Sequence, residues 1–352
     1  MDTRLHALSV WVQQQMLSDQ VQATAVSELT PVSGDASFRR YFRCRVDFPD
    51  TESTDLIAVD APPDKEDNQR FVFLAESFRL NGVNVPSVYA ADFEQGFMLL
   101  SDFGDTLLLS VLNADNVNHY YDRALSDLLV LQDTPFDPPL APYGEALLMQ
   151  EMQLFPDWFL VKHLALPPDD AEQTVIEKAF HYLRDQALSQ PQVTVHRDFH
   201  ARNIMVPDDD VLGYIDFQDA VHGPVTYDLV SLVRDCYVRW PAGQVKAWAL
   251  NFKEKLQLMG RLAGVTDAQF IHWMDTMGAQ RHIKVAGIFS RLYYRDGKSG
   301  YLKDIPLTVK YLLEEIQDIP ALGEFCELLE TRWIPALCSK QPEAAAMFEA
   351  GA

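Results

Sequence analysis

His196, Arg197, Asp198 and Asn203 are spaced H-R-D-x-x-x-x-N, and thirteen residues after Asn203 a short apolar run (Leu212, Tyr214, Ile215) ends in Asp216. A carboxylate such as Asp198 can accept or orient the proton of an attacking hydroxyl. Asn203 and Asp216 offer hard oxygen donors of the kind magnesium takes beside substrate phosphates. One base, one amide and one carboxylate at adjacent strand ends are a sufficient set for phosphoryl transfer. The plainer alternative is a polar turn between two strands, with both aspartates as solvated loop residues.

The chain is 352 residues long, enough for a large core and one or two domains. With 29 basic against 51 acidic residues the net charge is −22. Nucleic acid and anionic membrane are bound by Lys/Arg clusters, so neither is an expected partner, and no protein partner is implied. Cys44, Cys236, Cys326 and Cys338 show no metal-ligand spacing and read as reduced core residues. No basic region leads an apolar run at the start, and no stretch is long enough to span a bilayer. The expected compartment is cytoplasmic.

Residues 3–18 carry apolar positions at helical spacing, which predicts an opening amphipathic helix. The turn Ser33, Gly34, Asp35, Ala36, Ser37 stands between two predicted strands, the second at 38–46. That is the layout of a nucleotide-covering loop, although a plain hairpin turn has the same spelling. A third strand is expected at 56–59, a helix ending near Asn81 and Gly82, and two short strands near 88–91 and 97–100. Ser101, Asp102 and Gly104 then read as a hinge lining a nucleotide crevice. Later, 116–132, 144–165, 171–189, 225–240, 244–262, 267–295 and 307–338 are helical by period, with a break or kink at Pro156 and breaks at Pro241, Gly264, Gly297 and Pro320. The reading is an α+β fold of two lobes: 1–103 small, mainly β and nucleotide-binding, 104–352 larger, mainly helical and carrying catalysis and acceptor binding.

The third strand has no lysine, although polyphosphate in a crevice requires a compensating cation. Arg40, on the inward face of its strand, and Lys65 are the candidates. For Arg40, pairing with a nearby acid is the alternative. Arg39, Arg43 and Arg45 read as a solvated face. The gap also leaves open a non-catalytic protein that only binds nucleotide.

These stretches resemble the aminoglycoside phosphotransferase and choline kinase-like branch of the protein-kinase-like fold, spelled H-G-D-x-H-x-x-N-I-L and then I-D-F/W-E-D-A. Here His196-Arg-Asp198-Phe-His200 and Ile215-Asp216-Phe-Gln-Asp219 stand in their place, with a matching G-x-P-x-x-D-L at 223–229. Arg197 in place of Gly is a departure. Residues 59–67, 154–158 and 280–298 look closest to the bacterial anomeric amino-sugar kinases of cell-wall (peptidoglycan) recycling, which also have Asp-Ala-Pro-Pro where the lysine is expected. The resemblance implies ATP and Mg2+ as cofactors. It also implies transfer to the C1 hydroxyl of N-acetylmuramate and N-acetylglucosamine, giving the sugar 1-phosphate. A kinase of another small alcohol, such as an aminoglycoside or choline, is the alternative.

Arg281, Lys284, Arg291 and Arg295 share one stripe of the helix at 267–295, suited to an anionic acceptor group, a nucleotide phosphate or ordinary salt bridges. Of these, Arg281, Lys284 and Arg291 are acceptor candidates. Glu151 and Trp158 near the Pro156 break could hydrogen-bond and stack on a sugar. His196, His200 and Asp228 are expected to brace the catalytic loop, Asp228 by accepting backbone N–H groups.

Overall fold

The computed structural model describes residues 2–18, 20–32, 38–49, 51–207 and 211–349. Its elements in chain order are α1 (Thr3–Met16), β1 (Ala25–Val26), β2 (Thr30–Pro31), β3 (Arg40–Asp47), β4 (Thr54–Asp60), α2 (Asn68–Leu80), β5 (Val88–Asp92) and β6 (Phe97–Ser101). Then come α3 (Leu108–Val111), α4 (Val117–Asp133), α5 (Glu145–Met152), α6 (Asp170–Ser189), β7 (Gln192–Val195), β8 (Ile204–Met205), β9 (Gly213–Tyr214) and β10 (Val221–Pro224). Helices α7 (Tyr227–Val233), α8 (Ala242–Leu258), α9 (Asp267–Tyr294), α10 (Ile305–Ile316), α11 (Gly323–Leu328), α12 (Ile334–Lys340) and α13 (Ala345–Glu349) complete the chain. No helix among the described residues is long and apolar enough to cross a membrane.

Two compact units divide the chain: residues 1–111 with 202–219, and 112–201 with 220–352. The first is a six-stranded antiparallel sheet ordered β1-β3-β4-β6-β5, with β2 on β3. Along β3 the side chains alternate, so Phe42, Cys44 and Val46 are buried on one face, under Leu8, Trp11, Val12 and Met16 of α1. Each large apolar side chain so buried contributes about 1.5–3 kcal/mol. Arg40 shares that face. Rather than standing alone it is half-exposed, with its guanidinium shared between Asp60, opposite it in register, and Asp2 at the N-cap of α1. The Arg40 hydrogen bond holds the Asp2 carboxyl down to about 2.

In the second unit α9 is the axis. Its residues from Thr276 to Gly287 are buried without interruption, against α6, α7, α10 and the π-helical segment Phe155–Leu164. The expected helix over 144–165 therefore stops at Met152 and resumes as a π-helix with Pro156 in its first turn, because proline has no N–H for the regular ladder. Gly287 permits the closest approach: a Cβ there would lie 2.4 Å from the carbonyl carbon of Leu154. Gly287→Ala is expected to destabilise the protein by about 1–3 kcal/mol. A thermal midpoint unchanged from wild type would show that the contact yields.

Candidate active site

Strand β7 delivers the catalytic segment, and buried carboxylates pin its backbone at both ends. Asp228, in the first turn of α7, accepts from the N–H groups of His196 (2.7 Å) and Arg197 (3.0 Å). Burial pushes its carboxyl up to about 7 against the pull of those donors. Asp235 accepts from the N–H of Ala201 at 2.9 Å. Local pattern does not mark this second anchor, because Asp235 lies beyond the end of α7 at Val233.

Between the anchors Arg197 has φ +76°, a left-handed conformation costing a non-glycine residue roughly 1–2 kcal/mol. A Gly at that position, as in the related spelling, takes the conformation without strain. Here the side chain supplies compensation: Arg197 is ion-paired with Glu151 and lies 5.7 Å from the Tyr143 ring centroid. Glu151 also pairs with Lys284 at 3.0 Å and accepts from the Tyr143 hydroxyl. Lys284 donates to the Tyr227 hydroxyl (3.0 Å), and Arg281 donates to the Arg197 carbonyl (3.0 Å) and to Tyr227 (3.3 Å). Glu151, Arg281 and Lys284 are all buried. The structure thus brings these three acceptor candidates together as a brace on the catalytic loop.

That brace also sets the charge state of Asp198. Burial acts to raise its carboxyl, and Lys284, His200, Arg281 and Arg197 outweigh burial, so Asp198 is held below the ordinary aspartate range. Glu151 is held low in the same way, burial being overcome by Lys284 and Arg197. Burial acts to lower Lys284, but Glu151 and Tyr227 with Asp198 outweigh it, so the ammonium is held above its ordinary value. The Asp198 N–H donates to His196 Nδ1 at 3.3 Å, and the His200 ring meets Tyr237 edge-on at 5.5 Å. Trp158 stands partly exposed on the π-helical segment. Arg291 lies seven residues beyond Lys284, about 10 Å along the helix, beside Arg295 and Asp296. The stripe therefore divides, and only its first half belongs to the brace.

In the first unit the hairpin β8–β9 pairs Ile204 with Tyr214 and Met205 with Gly213. It brings Asn203 Nδ2 to 3.2 Å from Asp216 Oδ2. Gln218 donates to the other Asp216 oxygen at 2.6 Å. Asp216 has φ +66°, a second left-handed residue without a glycine's freedom. Strain of this kind concentrates where a side chain must be aimed.

The turn from Ser33 through Gly34, Asp35 and Ala36 to Ser37 lies outside the described residues. Lys65 is exposed beside Asp64. Ser101 accepts from the Ser87 N–H at 2.9 Å, and Asp102 accepts from Arg43 and from the N–H of Gly104 (2.8 Å), whose φ is +79°. Two arginines read as solvated are not. Arg43 is ion-paired to Asp102 and Asp105, and Arg39 is only 4% exposed, lying against Phe71 of α2 and paired with Glu66.

The model of the phosphotransferase enzyme family (APH) matches residues 28–265. An N-acetylmuramate/N-acetylglucosamine kinase of Pseudomonas putida is 40% identical over 93% of this chain and 96% of its own. One from Pseudomonas aeruginosa is 41% identical over 86% and 88%. Among solved structures, an ethanolamine kinase of Plasmodium vivax covers 86% of this chain and 88% of its own, with TM-score 0.60 at 11% identity. An ADP-bound aminoglycoside phosphotransferase, APH(2'')-Ib, covers 90% and 99%, with TM-score 0.53 at 14% identity. Those last two share the fold, a mainly β N-terminal lobe and a helical C-terminal lobe of protein-kinase type. Identity near two residues in five, sustained over almost the whole length, says more than fold: the chain belongs to the phosphotransferase enzyme family, on the branch that holds these amino-sugar kinases.

Proposed function

We propose that this phosphotransferase moves the γ-phosphoryl group of ATP to the anomeric hydroxyl of N-acetylmuramate and N-acetylglucosamine, in the cytoplasm, as a step of peptidoglycan recycling. The acceptor oxygen forms a bond to the γ-phosphorus while the bond to the β–γ bridging oxygen breaks. The hydroxyl proton passes to Asp198, and ADP and the sugar 1-phosphate leave. Asp198 orients that hydroxyl, and Asp228 and Asp235 hold the loop that carries it. Asn203 and Asp216, a hard amide and carboxylate within hydrogen-bond distance of each other, fit a magnesium ion, which when bound neutralises charge on the phosphates. Ser101, Asp102 and Gly104, with the turn at 33–37, are assigned to the nucleotide, and Trp158 and Arg291 to the acceptor.

The observation that carries this reading is the cationic setting of Asp198. A carboxylate made less basic by Lys284, Arg281 and Arg197 suits a hydroxyl that gives up its proton readily. A hemiacetal hydroxyl is more acidic than an ordinary alcohol. The same cations repel a choline or aminoglycoside acceptor and attract the lactyl carboxylate of N-acetylmuramate.

The test is ADP release from Mg·ATP with N-acetylmuramate, N-acetylglucosamine, an aminoglycoside and choline in parallel. Both sugars are expected to stimulate release far above the other two. Release driven best by choline or the aminoglycoside, or by none of the four, would refute the assignment.

A further inference from the structure

Strand β4 has no lysine for the phosphates, and Arg40 is committed to carboxylates on the α1 face. We propose that Arg39, held by Glu66, is the residue that grips the phosphates of the nucleotide. The inference rests on the kinase reading above and deepens it.

Arg39 adjoins Arg40 at the head of β3, so the two side chains leave the chain on opposite sides. Arg39 Nη2 pairs with Glu66 at 3.1 Å, and Glu66 also accepts from the N–H of Phe38 at 3.1 Å. Glu66 immediately precedes Asp67, the N-cap of α2. The Arg39 guanidinium sits 5.4 Å from the ring centroid of Phe71 on that helix. Phe71 packs against Phe217 at 4.9 Å, and Phe217 follows Asp216 in the chain. Arg70, the neighbour of Phe71, donates to the carbonyl of Gln218 (3.0 Å), whose amide holds Asp216. Within one unit, then, a continuous set of contacts joins Arg39 to the segment assigned to magnesium. Arg39 and Phe217 both lie against Phe71, and Arg39 is paired with an acid just before α2, as a phosphate-binding lysine is paired with a helix glutamate in kinases.

Other arginines of this unit have different work. Arg4 and Arg40 clasp Asp60 on the α1 side, Arg43 ties Asp102 to Asp105, Arg45 is exposed against Asp55, and Arg79 donates to the Val85 carbonyl. A buried Arg–Glu pair contributes little net stability over an apolar pair of the same size. Stability alone does not account for its position here. Glu66 engages the Nη2 end of a forked group with several N–H donors, a geometry that matches phosphate oxygens.

The experiment is calorimetric titration of Mg·ATP and of adenosine into wild type, Arg39→Gln, Arg39→Lys and, as control, Arg45→Gln. Arg39→Gln is expected to raise the ATP Kd about tenfold or more with the adenosine Kd unchanged. Arg39→Lys keeps a cation against Glu66 but loses the fork, and should fall between. If Arg39→Gln does not fold, Arg39→Lys decides. Wild-type ATP affinity in the folded Arg39 variants, or equal weakening of ATP and adenosine, overturns the proposal. A wild-type protein that binds no ATP overturns the kinase reading itself.

Discussion

Asp198→Asn is expected to reduce acceptor-dependent turnover by about 10²–10⁴-fold while the Kd for ATP stays within about twofold of wild type. Asparagine keeps the shape of the side chain and cannot accept the hydroxyl proton. The loop should keep its conformation, because Asp228 and Asp235 hold its backbone N–H groups at His196, Arg197 and Ala201. The brace also stays intact: Arg197 and Lys284 keep Glu151, and Arg281 keeps the Arg197 carbonyl. The substitution thus removes one charge from a cationic site and leaves the positioning in place, which separates proton acceptance from binding. Steady-state ADP release beside an ATP titration measures both. Turnover within tenfold of wild type would show that Asp198 does not take the proton.

How far this chemistry was legible differs from residue to residue. Asp198, Asn203 and Asp216 could be read because loop chemistry needs particular side chains at short, fixed spacings. Helices α1 and α6 could be read because each has a buried stripe at helical period. Arg39 could not. Strand alternation puts Arg39 opposite Arg40 without showing that Phe71 of α2 lies against it, while Arg45 on the same side stays exposed. The brace was half legible: the stripe of α9 was visible as charge, but its meeting with Glu151 and Arg197 joins residues far apart in sequence. Nor does local pattern show that residues 202–219 return to the first unit. The expected helix over 225–240 ends at Val233, where Asp235 turns to accept the N–H groups of Ala201 and Tyr237. The helical run over 307–338 is interrupted at Pro320 as its sequence predicts, and it contains in addition a π-helical stretch Leu329–Trp333 just before Pro335. As at Pro156, a missing N–H shifts the ladder without ending the coil.

The second large effect is expected on acidity, in Lys284→Met. Lys284 is the strongest of the charges holding Asp198 below its usual range, against a burial that acts to raise it. Removing that charge leaves burial less opposed, so the Asp198 carboxyl rises. Turnover needs Asp198 ionised, and the acid limb of the kcat/KM profile must therefore move to higher pH, whereas in wild type it lies below the ordinary aspartate value. Glu151 loses a partner in the same step. Its carboxyl is depressed in the folded protein, so its contribution to stability is present above the unfolded-state value near 4.5 and lost only as pH falls through the lower folded value. With Lys284 gone that loss begins at higher pH, and a buried carboxylate short of a partner costs up to about 3–5 kcal/mol. Glu151→Gln added to Lys284→Met relieves this second cost without restoring the charge beside Asp198. The double variant should regain thermal stability at pH 8 and keep the displaced acid limb. A structural role alone would restore both together. A single variant whose acid limb stays where wild type has it would show that the brace holds the loop in place without setting the basicity of Asp198.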